Sequence, residues 1–155
     1  MNNKIIIGLK NIQRDTNEIR NISNIIENSN NLELNEVILE ENTFPFLYSI
    51  ENITSVGFDF FYDVRNDKFI DGLDINNKNQ DGKTVLMALA EKGLHNEVVR
   101  LIRAGSDWAA QDNSGKTAKD YAYDWCHGGS ENEEEEREWD ILSIFEELEK
   151  EKNNK

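Results

Sequence analysis

The chain has 155 residues, 37% hydrophobic and 31% charged, with a single cysteine and a formal net charge of −14. That length is enough for one continuous core, and the low apolar fraction suits a thin arrangement with much surface. The charge argues against nucleic-acid binding, which needs a surplus of Lys and Arg, and one cysteine excludes an internal disulfide and suits a reducing compartment, with the cytoplasm as the expectation.

No apolar run approaches a membrane span, and Ile5, Ile6 and Ile7 are too short a run for a signal segment. Residues 1–42 are rich in Asn and Ile, a composition that carries no chemical reading by itself. Ile19, Ile22, Ile25 and Ile26 recur at helical spacing, with Asp15 or Thr16 placed to cap. Residues 28–31 read as a turn. Ile5, Ile6, Leu9 and Ile12 suggest another short helix, although residues 4–7 fit a strand equally well.

The only proline, Pro45, follows Thr43 by two residues, an arrangement of cap and early helical position. The dense aromatic run Phe58, Phe60, Phe61 and Tyr62 reads mainly as core, because Phe is usually buried; a binding patch is the other reading. Gly72 lies 33 residues before Gly105, which predicts residues 61–71 to be the second helix of an early, diverged repeat.

That period is sharpest over residues 74–123. Asp74 returns as Asp107, Gly82 as Gly115 and Thr84 as Thr117, each 33 residues on. A fixed period of this size marks stacked units, each burying its apolar face on a neighbour. Asp81 and Gly82 suit a turn needing positive φ, and Thr84 then caps a short helix with Leu86, Leu89 and Ala90 on its apolar face. Thr117 and Asp120 are spaced as a capping box. Gly93 ends the first helix; Val98, Leu101 and Ile102 mark a second, which Gly105 stops.

These residues resemble the ankyrin repeat family. The family's G-x-T-P-L-H-x-A-A stands here as Gly82-x-Thr84-Val85-Leu86-Met87-Ala88-Leu89-Ala90, and its G-A-D as Gly105-Ser106-Asp107. Val85 and Ala118 replace Pro, Met87 and Asp120 replace His, and Leu89 fills a usually small position. The resemblance covers about a third of the chain. It implies a single all-α domain of about three repeats. In that layout residues 1–42 are a helical N-cap, 43–73 a degenerate repeat and 74–106 a clear one. Residues 107–150 are a C-terminal repeat with a loop insertion and a capping helix, and 151–155 a disordered tail.

Residues 124–133 read as that loop, around Gly128 and Gly129, and 131–155 as a long helix with Trp139, Ile141, Leu142, Ile144, Phe145 and Leu148 in one stripe. Residues 131–155 hold eleven acids against four bases. Part of that run suits a helix N-terminus; the cluster Glu133, Glu134 and Glu135 is also a docking candidate for a basic protein.

Little points to catalysis. Cys126 and His127 are adjacent, poor geometry for a dyad or a metal, and Asp59 and Asp63 have no calcium-loop spacing. No catalytic residue, metal or cofactor is expected. The resemblance implies recognition through turn fingers and first helices. The candidates are Asn77, Lys78, Asn79 and Gln80; Trp108, Gln111, Asp112 and Asn113; and Met87, Glu91 and Lys92 on the first helix's exposed side. Trp108 and Trp125 are each an interface anchor or a cover for a neighbouring turn. The expected function is non-catalytic protein binding by a chain that is monomeric when free. Its small, acidic, cysteine-poor character is similar to bacterial immunity proteins, which neutralise a cognate toxin, many such toxins being basic nucleases. The alternative is a general scaffold or adaptor.

Overall fold

Short polar side chains decide where several of the helices begin. In the computed structural model, which describes residues 3–13, 15–128 and 134–155 (side chains 134–140 excepted), Asn3 accepts from the Ile5 and Ile6 N–H groups and opens α1, Lys4–Asn11. Asp15 caps α2, Thr16–Glu27, and Asn30 forms a capping box with Glu33 to open α3, Asn31–Asn35. The helical alternative for residues 4–7 is therefore the one adopted. The expected turn at 28–31 is shorter than anticipated, because Asn30 turns the chain directly into α3. Pro45 is the first residue of α4, Pro45–Ile53, and Phe44 precedes it without a side-chain cap. Thr43 instead bridges Ile38 in antiparallel fashion.

The chain divides into two compact units, Met1–Asp81 and Gly82–Lys155. In the first, Ile5, Leu9, Ile26 and Leu34 are buried beside an aromatic cluster. Phe46 lies 4.9 Å from Phe61 and 5.9 Å from Phe58 between ring centroids. Phe58, Phe60, Phe61 and Tyr62 are all buried, so the aromatic run is core.

Residues 61–71 are not a helix. A short α5, Ser55–Asp59, gives way to a hairpin of β1, Tyr62–Asp63, and β2, Lys68–Phe69, with Tyr62 opposite Phe69. The reason is local. Between Tyr62 and Phe69 the only apolar residue is Val64, so no helical face exists to bury. Asp63 accepts from the Arg65 and Asn66 N–H groups and closes the turn, Asp67 adopts φ 50°, and the Tyr62 hydroxyl donates to Asp67. Tyr62 and Phe69 then pack edge-on at 5.0 Å.

In the second unit α6, Val85–Glu91, packs chiefly on α8, Ala118–His127, and also on α7, His95–Arg103. Thr84 and Thr117 each accept from the N–H three residues on, and the side chains of Met87 and Asp120 accept in return. α8 continues through His127, so 124–127 are helical where a loop was expected, and 129–133 of that loop lie outside the described residues. α9, Glu134–Asn153, buries Ile141, Leu142 and Phe145, with Ile144 and Leu148 half-buried; the Trp139 side chain lies outside the described set. The observed architecture is mostly helical, and among the described residues no helix is long and apolar enough to cross a membrane.

Gly72 and Gly105, and likewise Gly82 and Gly115, have φ between 76° and 96°. The 33-residue period is thus repeated in backbone conformation as well as in residue type. Gly93 has φ 68° and a further constraint, since a Cβ there would meet the Trp125 ring at 2.3 Å, whereas one at Gly105 would meet nothing within 4 Å. Gly105→Ala should therefore cost about 1 kcal/mol, the left-handed penalty alone. Gly93→Ala should cost clearly more. Urea unfolding of both variants tests this, and equal losses would show that Trp125 gives way freely.

Candidate binding surface

Both turn fingers are built by short side chains that bond the backbone two residues on. In the first finger Asp74 accepts from Asn76 N–H at 2.9 Å and Asn79 from Asp81 N–H at 3.0 Å. In the second, 33 residues later, Asp107 accepts from Ala109 N–H at 3.2 Å and Asp112 from Ser114 N–H at 2.9 Å. The first finger belongs to the Met1–Asp81 unit and the second to the Gly82–Lys155 unit.

Two asparagines outside the repeat hold the first finger. The Asn35 amide accepts from Asp74 N–H at 2.7 Å and donates to the Gly72 carbonyl at 2.8 Å, while Asn77 donates to the Asn35 carbonyl at 2.6 Å. Asn42 accepts from Gln80 N–H at 3.1 Å, donates to the Asp81 carboxylate at 2.6 Å, and offers its carbonyl to Asn79 at 3.0 Å. Asn77 and Asn79 therefore act within the turn. Lys78 and Gln80 are the exposed members of the set. Neither Asn35 nor Asn42 was singled out from sequence; their composition-level signal was an Asn-rich stretch with no pattern.

The second finger centres on Asp112. It takes hydrogen bonds from the Tyr121 hydroxyl at 2.7 Å, the Ser114 hydroxyl at 2.7 Å and the Lys116 N–H at 3.0 Å. Burial pushes its carboxyl up, but these donors outweigh burial and hold it at about 2. Burial, and then the Asp112 carboxylate, push the Tyr121 phenol above its ordinary value. The Lys83 and Lys116 ammonium groups each lie 5.3 Å from the Tyr121 ring centroid. Lys83 pairs with Glu91 at 2.6 Å and Lys116 with Asp124 at 2.7 Å, the same pairing repeated one period on. Gln111 and Asn113 are exposed beside this network.

Trp108 is half-buried, with Lys152 Nζ 5.7 Å from its ring. It lines a cavity of about 370 Å³ together with Thr117 and the Lys119–Glu149 ion pair, which closes at 2.8 Å. Trp125 is half-buried over Gly93, which makes it a cover for the turn that ends α6. Met87 is a correction: expected on an exposed side, it is 1% exposed, because α6 is buried from Val85 through Ala90 and the Met87 sulfur accepts from Thr84 N–H at 3.4 Å. Lys92 is half-buried and Glu91 exposed in its ion pair. Glu133, and the side chains of Glu134 and Glu135, lie outside the described residues.

Asp59 and Asp63 line one groove of the Met1–Asp81 unit, while Cys126 and His127 differ in burial. Cys126 is buried in α8, and His127 is exposed and stacked on Tyr123 at 3.9 Å. His95 heads α7, its Nδ1 enclosed with no hydrogen-bond partner. Asp63 is committed to its own hairpin turn. Among the described residues no three carboxylate, His or Cys groups gather as a metal site. No protein-family model matches the chain, and a search of curated proteins finds no match.

An aspartate in an unfolded chain titrates near about 3.9. Because folding lowers the Asp112 value to about 2, its contribution is complete above the unfolded value and is lost as pH falls toward 2. Asp112→Asn should therefore narrow the difference between stabilities measured by urea unfolding at about pH 6 and about pH 3. An unchanged difference would remove Asp112 from the acid response.

Proposed function

We propose that this chain is a non-catalytic protein-recognition module, its helix–turn–helix units stacked in the manner of ankyrin repeats, that binds a basic protein. In its most specific form it is an inhibitor that occludes the active surface of a cognate bacterial toxin such as a nuclease. One observation carries the recognition reading. The 33-residue period is repeated in glycine conformation, in threonine capping boxes, in the aspartate turns and in the Lys83–Glu91 and Lys116–Asp124 pairs. A chain that repeats a whole local hydrogen-bond set, and not just an apolar pattern, holds each of its turns in a fixed conformation, and loops so held are suited to binding.

The net charge of −14 supports the nature of the partner. Opposite charge speeds encounter and suppresses wrong partners, and the contribution is screened by salt. Residues Lys78 and Gln80 are the exposed positions of the first finger, Gln111 and Asn113 those of the second, where Trp108 is the aromatic anchor.

The test is capture on the immobilised chain at low and moderate salt, followed by an activity assay of what is captured. A single basic protein, released as salt rises and inactive while bound, is the expected result. Several neutral partners retained at high salt would replace this reading with that of a scaffold. Trp108→Ala should weaken the captured complex about thirtyfold, as for an anchor residue, with little change in thermal midpoint because the ring is only half-buried. An unchanged affinity would reduce Trp108 to a turn cover.

A further inference from the structure

Two Asp–Gly steps bracket the first finger, Asp71–Gly72 before it and Asp81–Gly82 at its end. At such a step the glycine has no side chain to shield its amide nitrogen from the aspartate carboxyl. The fold treats the two differently. The Asp71 side chain is 93% exposed and meets Lys68 at 3.3 Å on the surface. Gly72 is exposed as well. Among the described residues neither the Asp71 carbonyl nor the Gly72 N–H takes part in a hydrogen bond, so the peptide unit that joins them is free to turn. Asp81 is held instead, its carboxylate accepting from the Asn42 amide at 2.6 Å. Gly82 is buried, with atoms of Asn113 and Asp112 at 2.8 to 3.1 Å from where a Cβ would stand.

We infer that Asp71–Gly72 is a site of spontaneous modification, at which aspartate converts to isoaspartate and the first finger loses its hold on Asn35. The Gly72 nitrogen attacks Cγ of the protonated Asp71 carboxyl. An N–Cγ bond forms, the Cγ–OH bond breaks, and the hydroxyl leaves with the amide proton as water. The cyclic imide then takes up water. Breaking the N–Cγ bond restores aspartate. Breaking the bond from nitrogen to the Asp71 backbone carbonyl carbon routes the chain through Cβ and Cγ and leaves that carbon as the free carboxylate. Water is lost and regained, nothing is oxidised or reduced, and mass is unchanged. The main chain is longer by one carbon immediately before Gly72. The Asn35 amide donates to the Gly72 carbonyl at 2.8 Å and accepts from Asp74 N–H at 2.7 Å, so the added carbon displaces both ends of that clamp.

The test is prolonged incubation of the full chain at mildly acidic pH, then trypsin digestion and chromatography. Cleavage after Lys68, Lys78 and Lys83 places the two steps in separate peptides, residues 69–78 and 79–83. The 69–78 peptide should split into two species of equal mass, with isoaspartate at 71 by electron-transfer fragmentation, while 79–83 stays single. In urea both peptides should convert at similar rates, because the fold no longer separates them. Asp71→Glu, which would have to close a larger and slower-forming ring, should abolish the splitting at a position too exposed to affect folding. In the aged chain, hydrogen exchange at the Asp74 amide should quicken while that at Val98, bonded to the Leu94 carbonyl within α7, stays unchanged. A 79–83 peptide that converts as fast as 69–78 in the folded chain would overturn the site. So would a 69–78 peptide that stays single, or splitting that survives in Asp71→Glu. Isoaspartate at 71 with unchanged exchange at Asp74 would overturn the effect on the finger. Neither readout involves a partner, so the result stands or falls separately from the recognition reading.

Discussion

The Gly82–Lys155 unit depends on the burial of six of the seven residues of one short helix, α6. Every residue of α6 from Val85 to Ala90 is at most 1% exposed. A helix apolar on all faces is stable only when enclosed, and each backbone group at its ends must then find a partner within the protein. Thr84 satisfies the first turn through its hydroxyl, and at the other end the Lys92, Gly93 and Leu94 N–H groups return to the carbonyls of Ala88, Ala90 and Leu89. Ala88 and Ala90, with Ala118 and Ala122 on α8, keep this layer thin and allow close approach, which is why the α6–α8 contact is the most extensive of the unit.

The charged groups around that layer act through arrangement more than through strength. An exposed ion pair contributes at most about 1 kcal/mol, so Lys83–Glu91 and Lys116–Asp124 do little for stability alone. They do place two ammonium groups over Tyr121, whose hydroxyl donates to the Asp112 hub. A finger tip is thereby tied to the helix behind it. In the other unit amides do the corresponding work, with Asn35 and Asn42 reaching some forty residues along the chain to hold 74–81. Fingers fixed in advance lose less conformational entropy on binding, which is the physical basis of preorganised recognition.

The hairpin in the first unit adds a surface of another kind. Its turn is closed by Asp63, its strands are joined by the Tyr62–Phe69 pair, and its outer edge shares a groove with α2.

Sequence alone determined those features whose cause is local. The 33-residue period, Thr84 and Thr117 as caps, Gly93 and Gly105 as helix ends, and the α2 and α9 stripes each depend on a few neighbouring residues. Tertiary structure alone decided the rest. Residues 61–71 stand between the two: Gly72 repeats the backbone conformation of Gly105, and the lack of a helical face in the segment before Gly72 is local, but the packing of Phe58, Tyr62 and Phe69 beside Phe46 that holds it as a hairpin is tertiary. Met87 sits at an outward position by helical period, yet is enclosed. Asn35 and Asn42 have no local signal, because the groups they bond lie far along the chain. The groove joins residues from 23 to 71, a juxtaposition that no spacing encodes. Caps and periods are short-range properties of the backbone and can be read in order; burial and long-range amide bonds exist only once the chain has closed on itself.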